Sequence, residues 1–178
     1  MKSIELHDKS FELYIDKNKI AGRVKELATQ ITNSIKSDKP PVFIVVLNGA
    51  FMFAADLLKQ MDINADISFV KLASYSGTSS SGKVKKIIGL NEDIEGRTVV
   101  IIEDIVDTGI TMEMVLKELS VFCPEKIYIA TLLYKPAAFT KNFAVHFVGF
   151  EIPTDFVVGY GLDYNGFGRN LPDIYVLK

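Results

Sequence analysis

The chain has one cysteine, Cys123, no tryptophan and only two histidines, His7 and His146. A lone thiol cannot close an intrachain disulfide, and with two imidazoles it leaves no Cys/His set for a structural zinc. Any metal is therefore expected on oxygen ligands. An excess of one charge is also missing: 20 basic residues face 22 acidic ones, for a net charge of -2 and a pI near 5.7. That balance argues against a protein whose partner is nucleic acid. Long apolar runs are absent. The most hydrophobic stretch, Val42 to Leu58, is shorter than the roughly 20 residues of a membrane span and contains Asn48 and Asp56. The opening "MKSIELHDKS" has no apolar run after Lys2, which predicts no secretory signal and a cytoplasmic location. There is no internal repeat, charge block or interdomain linker.

What is there is a chain of 178 residues, 48% hydrophobic, enough for one domain with a sizeable core. Residues 11–15, "FELYI", alternate as a strand does. Asp16 can then cap a helix whose apolar positions Ile20, Val24, Leu27, Ala28, Ile31 and Ile35 share one face. Val42 to Leu47 is apolar on both faces, the pattern of a central parallel strand, and Asn48-Gly49 turns into a helix reaching about Met61. "ADISFVKLASY" reads as a strand, "SGTSSSG" as a mobile loop and "KVKKIIGL" as the strand returning from it. "RTVVIIE", "TMEMVLKELS" and "KIYIATLLY" then read as strand, helix and strand, and "DFVVGYGLDY" as a last segment. This order predicts an α/β fold with a mostly parallel central sheet flanked by helices.

One stretch stands out chemically. In "VVIIEDIVDTGITMEMVL" a buried strand runs into three carboxylates and a Thr-Gly turn before a helix begins. In open parallel sheets ligands bind beyond the carboxyl ends of the strands. Thr108 and Thr111 supply hydroxyls, Gly109 allows a tight turn, and a following helix N-terminus favours an anion, which makes a phosphate cradle. Glu103 and Asp104 would repel phosphate, so they are expected to face sugar hydroxyls or a cation. The loop is not the G-x-x-x-x-G-K-[ST] of nucleotide triphosphatases, and no G-x-G-x-x-G follows a strand. On the residues alone, the stretch also reads as an acidic turn in which Asp107 and Thr108 cap the helix.

"VVIIEDIVDTGITM" resembles the phosphoribosyl pyrophosphate (PRPP) motif of type I phosphoribosyltransferases. "VLNGAFMFAADLL", "LASYSGT", "LLYKP" and "VGFEIPTDFVVGYGLDYNGFGRNLPDIYVL" resemble, in order, further segments of the hypoxanthine-guanine phosphoribosyltransferases. The resemblance covers most of residues 10–177. It implies a single domain over 1–178, with a core at about 37–150. A small hood would come from about 1–15 and 151–178, and a mobile β-loop would complete the fold. The implied reaction is transfer of the 5-phosphoribosyl group from PRPP to N9 of hypoxanthine or guanine, with release of pyrophosphate and Mg2+ as cofactor.

The same resemblance implies roles residue by residue. Glu103 and Asp104 would meet the ribose 2′- and 3′-hydroxyls, directly or through Mg2+. Asp107, Thr108, Gly109, Ile110 and Thr111 would wrap the 5′-phosphate. Asp107 would also be the acid/base near purine N7, and the acidic floor would stabilise positive charge developing at C1′. Leu47, Asn48 and Gly49 match a pyrophosphate loop with a non-prolyl cis peptide, although Asn48 replaces the Lys often found there. Arg169 would contact pyrophosphate, and Asp163 a Mg2+ bridging to it. Lys135 would read the 6-oxo group, Phe156 would stack on the base, and the Val157 backbone would meet its Watson–Crick edge. Ser74 and Tyr75 match the loop that closes over the reaction. A homo-oligomer, dimer or tetramer, is implied, with no nucleic-acid or membrane partner. Two alternatives stay open: an enzyme preferring xanthine or another base, and a non-catalytic PRPP-sensing regulator.

Overall fold

The computed structural model describes residues 2–75 and 84–178; for 72–75 and 84–88 it describes the backbone alone. The "SGTSSSG" loop expected to be mobile lies outside the described residues. The elements run β1 (Ser3–Leu6), β2 (Lys9–Ile15), α1 (Lys17–Ser34), β3 (Val42–Leu47), α2 (Phe51–Lys59), β4 (Asp66–Tyr75), β5 (Val84–Ile88) and β6 (Thr98–Val106). They continue with α3 (Ile110–Ser120), β7 (Lys126–Tyr134), β8 (Phe147–Glu151), β9 (Val157–Val158) and β10 (Ile174–Leu177).

Among the described residues these strands form two sheets. The larger has the order β5-β4-β3-β6-β7-β8. Its strands are parallel except for β5, which returns antiparallel along β4. β3 and β6 lie inside it, so both their faces are covered and their apolar runs are continuous: Val42 to Ile44 and Val99 to Ile102 are fully buried. α1 and α2 cover one face, where Leu27, Ile31, Phe53 and Leu57 meet Phe43, Val45, Val100 and Ile102. α3 covers the other, where Met112, Val115 and Leu119 meet Ile44, Ile101 and Ile129. The expected cap of α1 is present, since Asp16 Oδ1 accepts from the Asn18 and Lys19 amides at 2.8 and 3.1 Å. Ile35 ends this helix as its C-cap and packs, partly buried, against the same core.

The smaller sheet, β1-β2-β10-β9, is antiparallel and joins the two ends of the chain. Its core is Phe11, Val158 and Tyr175. Three of the fold's strands, β1, β8 and the four-residue β10 beyond "DFVVGYGLDY", carry too weak a local pattern to be read from sequence. β1 is a four-residue strand that alternates exposed and half-buried, paired to β2 through the His7-Asp8 turn. β8 is short and its "FVGFE" contains Gly149, where a Cβ would come within 2.4 Å of the Leu132 carbonyl oxygen.

Candidate functional site

The carboxyl ends of β3, β6 and β7 lie side by side, and Leu47 to Gly49, Glu103 to Thr111 and Lys135 stand at or just beyond those ends. β6 keeps Glu103 inside the sheet opposite Thr131 of β7, where it is 6% exposed. Burial, and then the adjacent Asp104, push the Glu103 carboxyl well above the usual carboxylate range. Such a group gains from a cation or a hydroxyl donor beside it. Asp104 faces the end of β3. The Ile105 amide donates to its Oδ1 at 2.8 Å, and a methyl added at Gly49 would sit 1.5 Å from its Oδ2. Gly49 is therefore what lets the two strand ends meet. The Leu47–Asn48 peptide is cis.

Asp107 does not cap α3, and the Thr108 hydroxyl makes only a long contact there, accepting from the Ile110 amide at 3.4 Å. The N-cap is Gly109, in the left-handed region at φ 81°, with no side-chain cap bond. Asp107 instead accepts from Lys135 Nζ at 2.9 Å, and that ammonium also donates to the Thr154 carbonyl at 3.3 Å. The Lys135 side chain is 8% exposed against 46% for Asp107, so a buried cation emerges at a carboxylate that solvent or a ligand can reach. A cavity of about 270 Å³ is lined by Glu103, Asp104, Asp107, Thr108, Gly109 and Thr111. Ile110, half exposed, opens α3 beside it. A second cavity of about 190 Å³ is lined by Asp104, Asp107, Lys135, Phe156, Val157 and Asp163. Asp104 and Asp107 belong to both.

Phe156 is 45% exposed, edge-on to Tyr164 at 5.9 Å, and Val157 is buried in β9. Asp163 accepts from the Gly166 amide at 2.7 Å and pairs with Arg169 at 2.5 Å; Arg169 also donates to the Gly161 carbonyl at 2.7 Å. Among the described residues there is no group of three or more His, Cys, Asp or Glu placed to hold a metal. The donors available are Glu103 with Asp104 on one side and Asp163 on the other. That sparse, all-oxygen set suits Mg2+, which takes a carboxylate or two and completes its shell with substrate phosphates and water. Ser74 and Tyr75 end β4, past the Leu47–Lys71 pairing with β3, and pair through their backbones with Lys85 and Val84.

Several supporting residues escaped the sequence reading. Phe139 and Lys141 lie against Gly109, where a Cβ would come within 2.6 and 2.9 Å of them. Thr140 donates twice to the Thr108 carbonyl, from its amide and its hydroxyl, both at 3.3 Å, and Lys141 pairs with Glu113 of α3 at 2.7 Å. Tyr164 donates to Asp8 at 2.8 Å. Phe139 to Lys141 come soon after Lys135 and Tyr164 directly follows Asp163, but the groups they hold, Thr108, Gly109, Glu113 and Asp8, are distant in the chain, and no local pattern announces these pairings.

The sequence profile of the phosphoribosyl transferase domain matches residues 12–165. The chain is 39% identical over 175 residues to the hypoxanthine-guanine phosphoribosyltransferase of Aquifex aeolicus, covering 98% of each. It is 42% identical to the hypoxanthine phosphoribosyltransferase of Escherichia coli, covering 92% of this chain and 93% of that one. A crystal structure of a Staphylococcus aureus hypoxanthine phosphoribosyltransferase superposes with a TM-score of 0.84 at 39% identity, covering 94% of this chain and 91% of that one.

Proposed function

We propose, from the premise that the chain belongs to the phosphoribosyltransferase family, that it is a purine-salvage enzyme moving the 5-phosphoribosyl group of PRPP to N9 of hypoxanthine or guanine. The observation that supports this best is the Lys135–Asp107 pair at 2.9 Å, set between a loop suited to phosphate and a cavity walled by Phe156 and Val157. An ammonium has only donors, so Lys135 suits a 6-oxo group and mismatches a 6-amino group.

In this reading the larger cavity takes the ribose 5-phosphate. The amides of Thr108 to Thr111, with the Thr108 and Thr111 hydroxyls, bind the phosphate, and Glu103 and Asp104 bind the ribose hydroxyls. The base lies in the smaller cavity against Phe156, its edge on the Val157 backbone, with Asp107 accepting or returning the proton at N7. Lys135 keeps the Asp107 carboxylate oriented while reading the base. As the bond at C1′ breaks, positive charge grows on the ribose above Asp104 and Asp107, which stabilise it. Leu47, Asn48, Gly49 and Arg169 receive the departing pyrophosphate. Mg2+, held by Asp163 and by Glu103 with Asp104, would neutralise that leaving group. Ser74 and Tyr75, at the end of β4, would meet the reactants. The smaller sheet is the hood above the core. The proposal extends to a cytoplasmic location and to a homo-oligomer, dimer or tetramer, whose mass light scattering would read.

The test supplies Mg2+, PRPP and, separately, hypoxanthine, guanine, xanthine and adenine, and follows nucleotide formation. The expected result is turnover of the 6-oxopurines and not adenine, with kcat reduced about 10²–10⁴-fold in Asp107→Asn. Equal turnover of adenine would overturn the role of Lys135, and an undiminished Asp107→Asn would overturn that of Asp107.

A further inference from the structure

Tyr160 is an anomaly. It stands at φ 49° between Gly159 and Gly161, at φ 101° and 103°. A bulky side chain disfavours that region, which glycine occupies freely, so a tyrosine there implies that its side chain is needed. The ring is 4% exposed and packs in the core beneath α1 and α2. Its hydroxyl donates to Asp56 Oδ2 of α2 at 2.6 Å, and Asp56 also pairs with Lys59 at 2.7 Å. Burial opposes ionisation of Asp56, but Lys59 and the Tyr160 hydroxyl outweigh it and keep its carboxyl below the usual range. Asp56 is thus an ionised acceptor, and the bond is charge-assisted.

The bond joins two segments that meet a few residues away. α2 starts just after Asn48-Gly49. Next to Tyr160, Gly161 lies so close to Gly49 that a Cβ would come within 1.9 Å of the Gly49 carbonyl oxygen. Gly161 also accepts from Arg169 Nη1 at 2.7 Å and donates to the Arg169 carbonyl at 2.9 Å. The strand-end loop of β3 and the loop carrying Asp163 and Arg169 are therefore in backbone contact, with the Tyr160–Asp56 bond as the side-chain link behind that contact.

We infer that Tyr160 and Asp56 form a clamp that sets the spacing between the Asn48-Gly49 amides and the Asp163–Arg169 pair, and so act as positioning residues for the pyrophosphate half of the substrate. This rests on the transfer reaction proposed above. The clamp touches neither phosphate nor base. It governs PRPP and pyrophosphate while leaving the base cavity, built on Lys135 and Phe156, unaffected.

Tyr160→Phe removes one oxygen and leaves Asp56 with Lys59 and solvent, so the fold is expected to survive. Expected are a KM for PRPP and a calorimetric Kd for Mg2+-pyrophosphate each raised about tenfold, with the KM for hypoxanthine unchanged. Asp56→Asn, which keeps an acceptor, should fall between wild type and Asp56→Leu. Tyr175→Phe is the control, because Tyr175 makes a comparable buried bond to Asp173 at 3.2 Å within the smaller sheet. It should lower thermal stability and leave both constants alone. The clamp is overturned if Tyr160→Phe behaves like Tyr175→Phe, or if it raises the KM values of both substrates equally. A wild-type protein that binds Mg2+-pyrophosphate but forms no nucleotide would sink the transfer reaction, and calorimetry on the variants would still decide the clamp. One that binds no pyrophosphate would sink both.

Discussion

Two loops carry the site's carboxylates, and they are secured in different ways. The loop from Glu103 to Thr111 leaves β6, a strand flanked on both sides, and enters α3 directly. Its course follows neighbours in sequence, with Asp104 bound by the next amide and Gly109 making the turn, and the segment after β7 braces it, where Lys135 pairs with Asp107 and Thr140 donates to the Thr108 carbonyl. The loop from Tyr160 to Arg169 lies outside both sheets apart from isolated bridges. It is secured by distant segments: Asp56 on Tyr160, Gly49 on Gly161, Asp8 on Tyr164. On the reading proposed above, a substitution in the first loop would change chemistry, and in the second, residues far from the reactants would decide where the chemistry stands.

Lys135→Met would test the first loop most severely. It removes the partner of Asp107 and orphans the Thr154 carbonyl. Expected is a roughly 10²–10⁴-fold fall in kcat/KM for hypoxanthine, with lost discrimination against adenine, read by steady-state kinetics.

Gly161→Ala and Gly49→Ala set the two loops against each other. The methyl at Gly161 would strike a backbone oxygen at 1.9 Å from a residue at φ 103°, and neither can yield. Stability should fall by about 1–3 kcal/mol in urea titration. The methyl at Gly49 strikes the end of a side chain, Asp104 Oδ2, which can swing away. It should cost less stability and more kcat/KM for PRPP. The reverse ranking would erase the distinction between the loops.

Tyr164→Phe probes the second loop more gently. It breaks the exposed bond to Asp8 behind the ring that packs on Phe156. Only a small loss of stability is expected in urea titration, because solvent competes for this bond, with a slightly raised KM for hypoxanthine and an unchanged kcat.

The smallest effect belongs to His146, remote from both loops. Its Nδ1 accepts from the Ile129 amide at 3.1 Å, which only the unprotonated ring can do. Burial, and then Lys126, lower its pKa from the ordinary 6.5. The unfolded chain takes up the proton first as the pH drops. Stability is therefore full above about 6.5 and declines as pH falls through the folded value. His146→Asn should flatten that part of the denaturation profile.

The first loop was legible because strand, carboxylates, turn and helix are consecutive, and each constrains the next. The α1 cap and the central strands were legible for the same reason: Asp16 sits next to the amides it caps, and β3 and β6 show burial on both faces as unbroken apolar runs. β1, β8 and β10 were not, because a short strand of mixed burial has no periodicity of its own and forms only when a partner supplies its hydrogen bonds. The reading of Asp107 as a helix cap fitted the local sequence equally well. What excluded it is Lys135, which arrives from the end of the next strand.

The sequence by itself determined the alternation of elements, the acidic strand end and the family. The first two follow from periodicity and from residues adjacent in the chain, and the family from the resemblance of its motifs. Only the tertiary structure decided that Asp107 pairs with Lys135, that Gly49 yields its space to Asp104, and that Tyr160 ties the second loop to α2. Each of these joins segments whose meeting depends on how helices and strands pack, and packing is set by the whole core rather than by any one stretch of it.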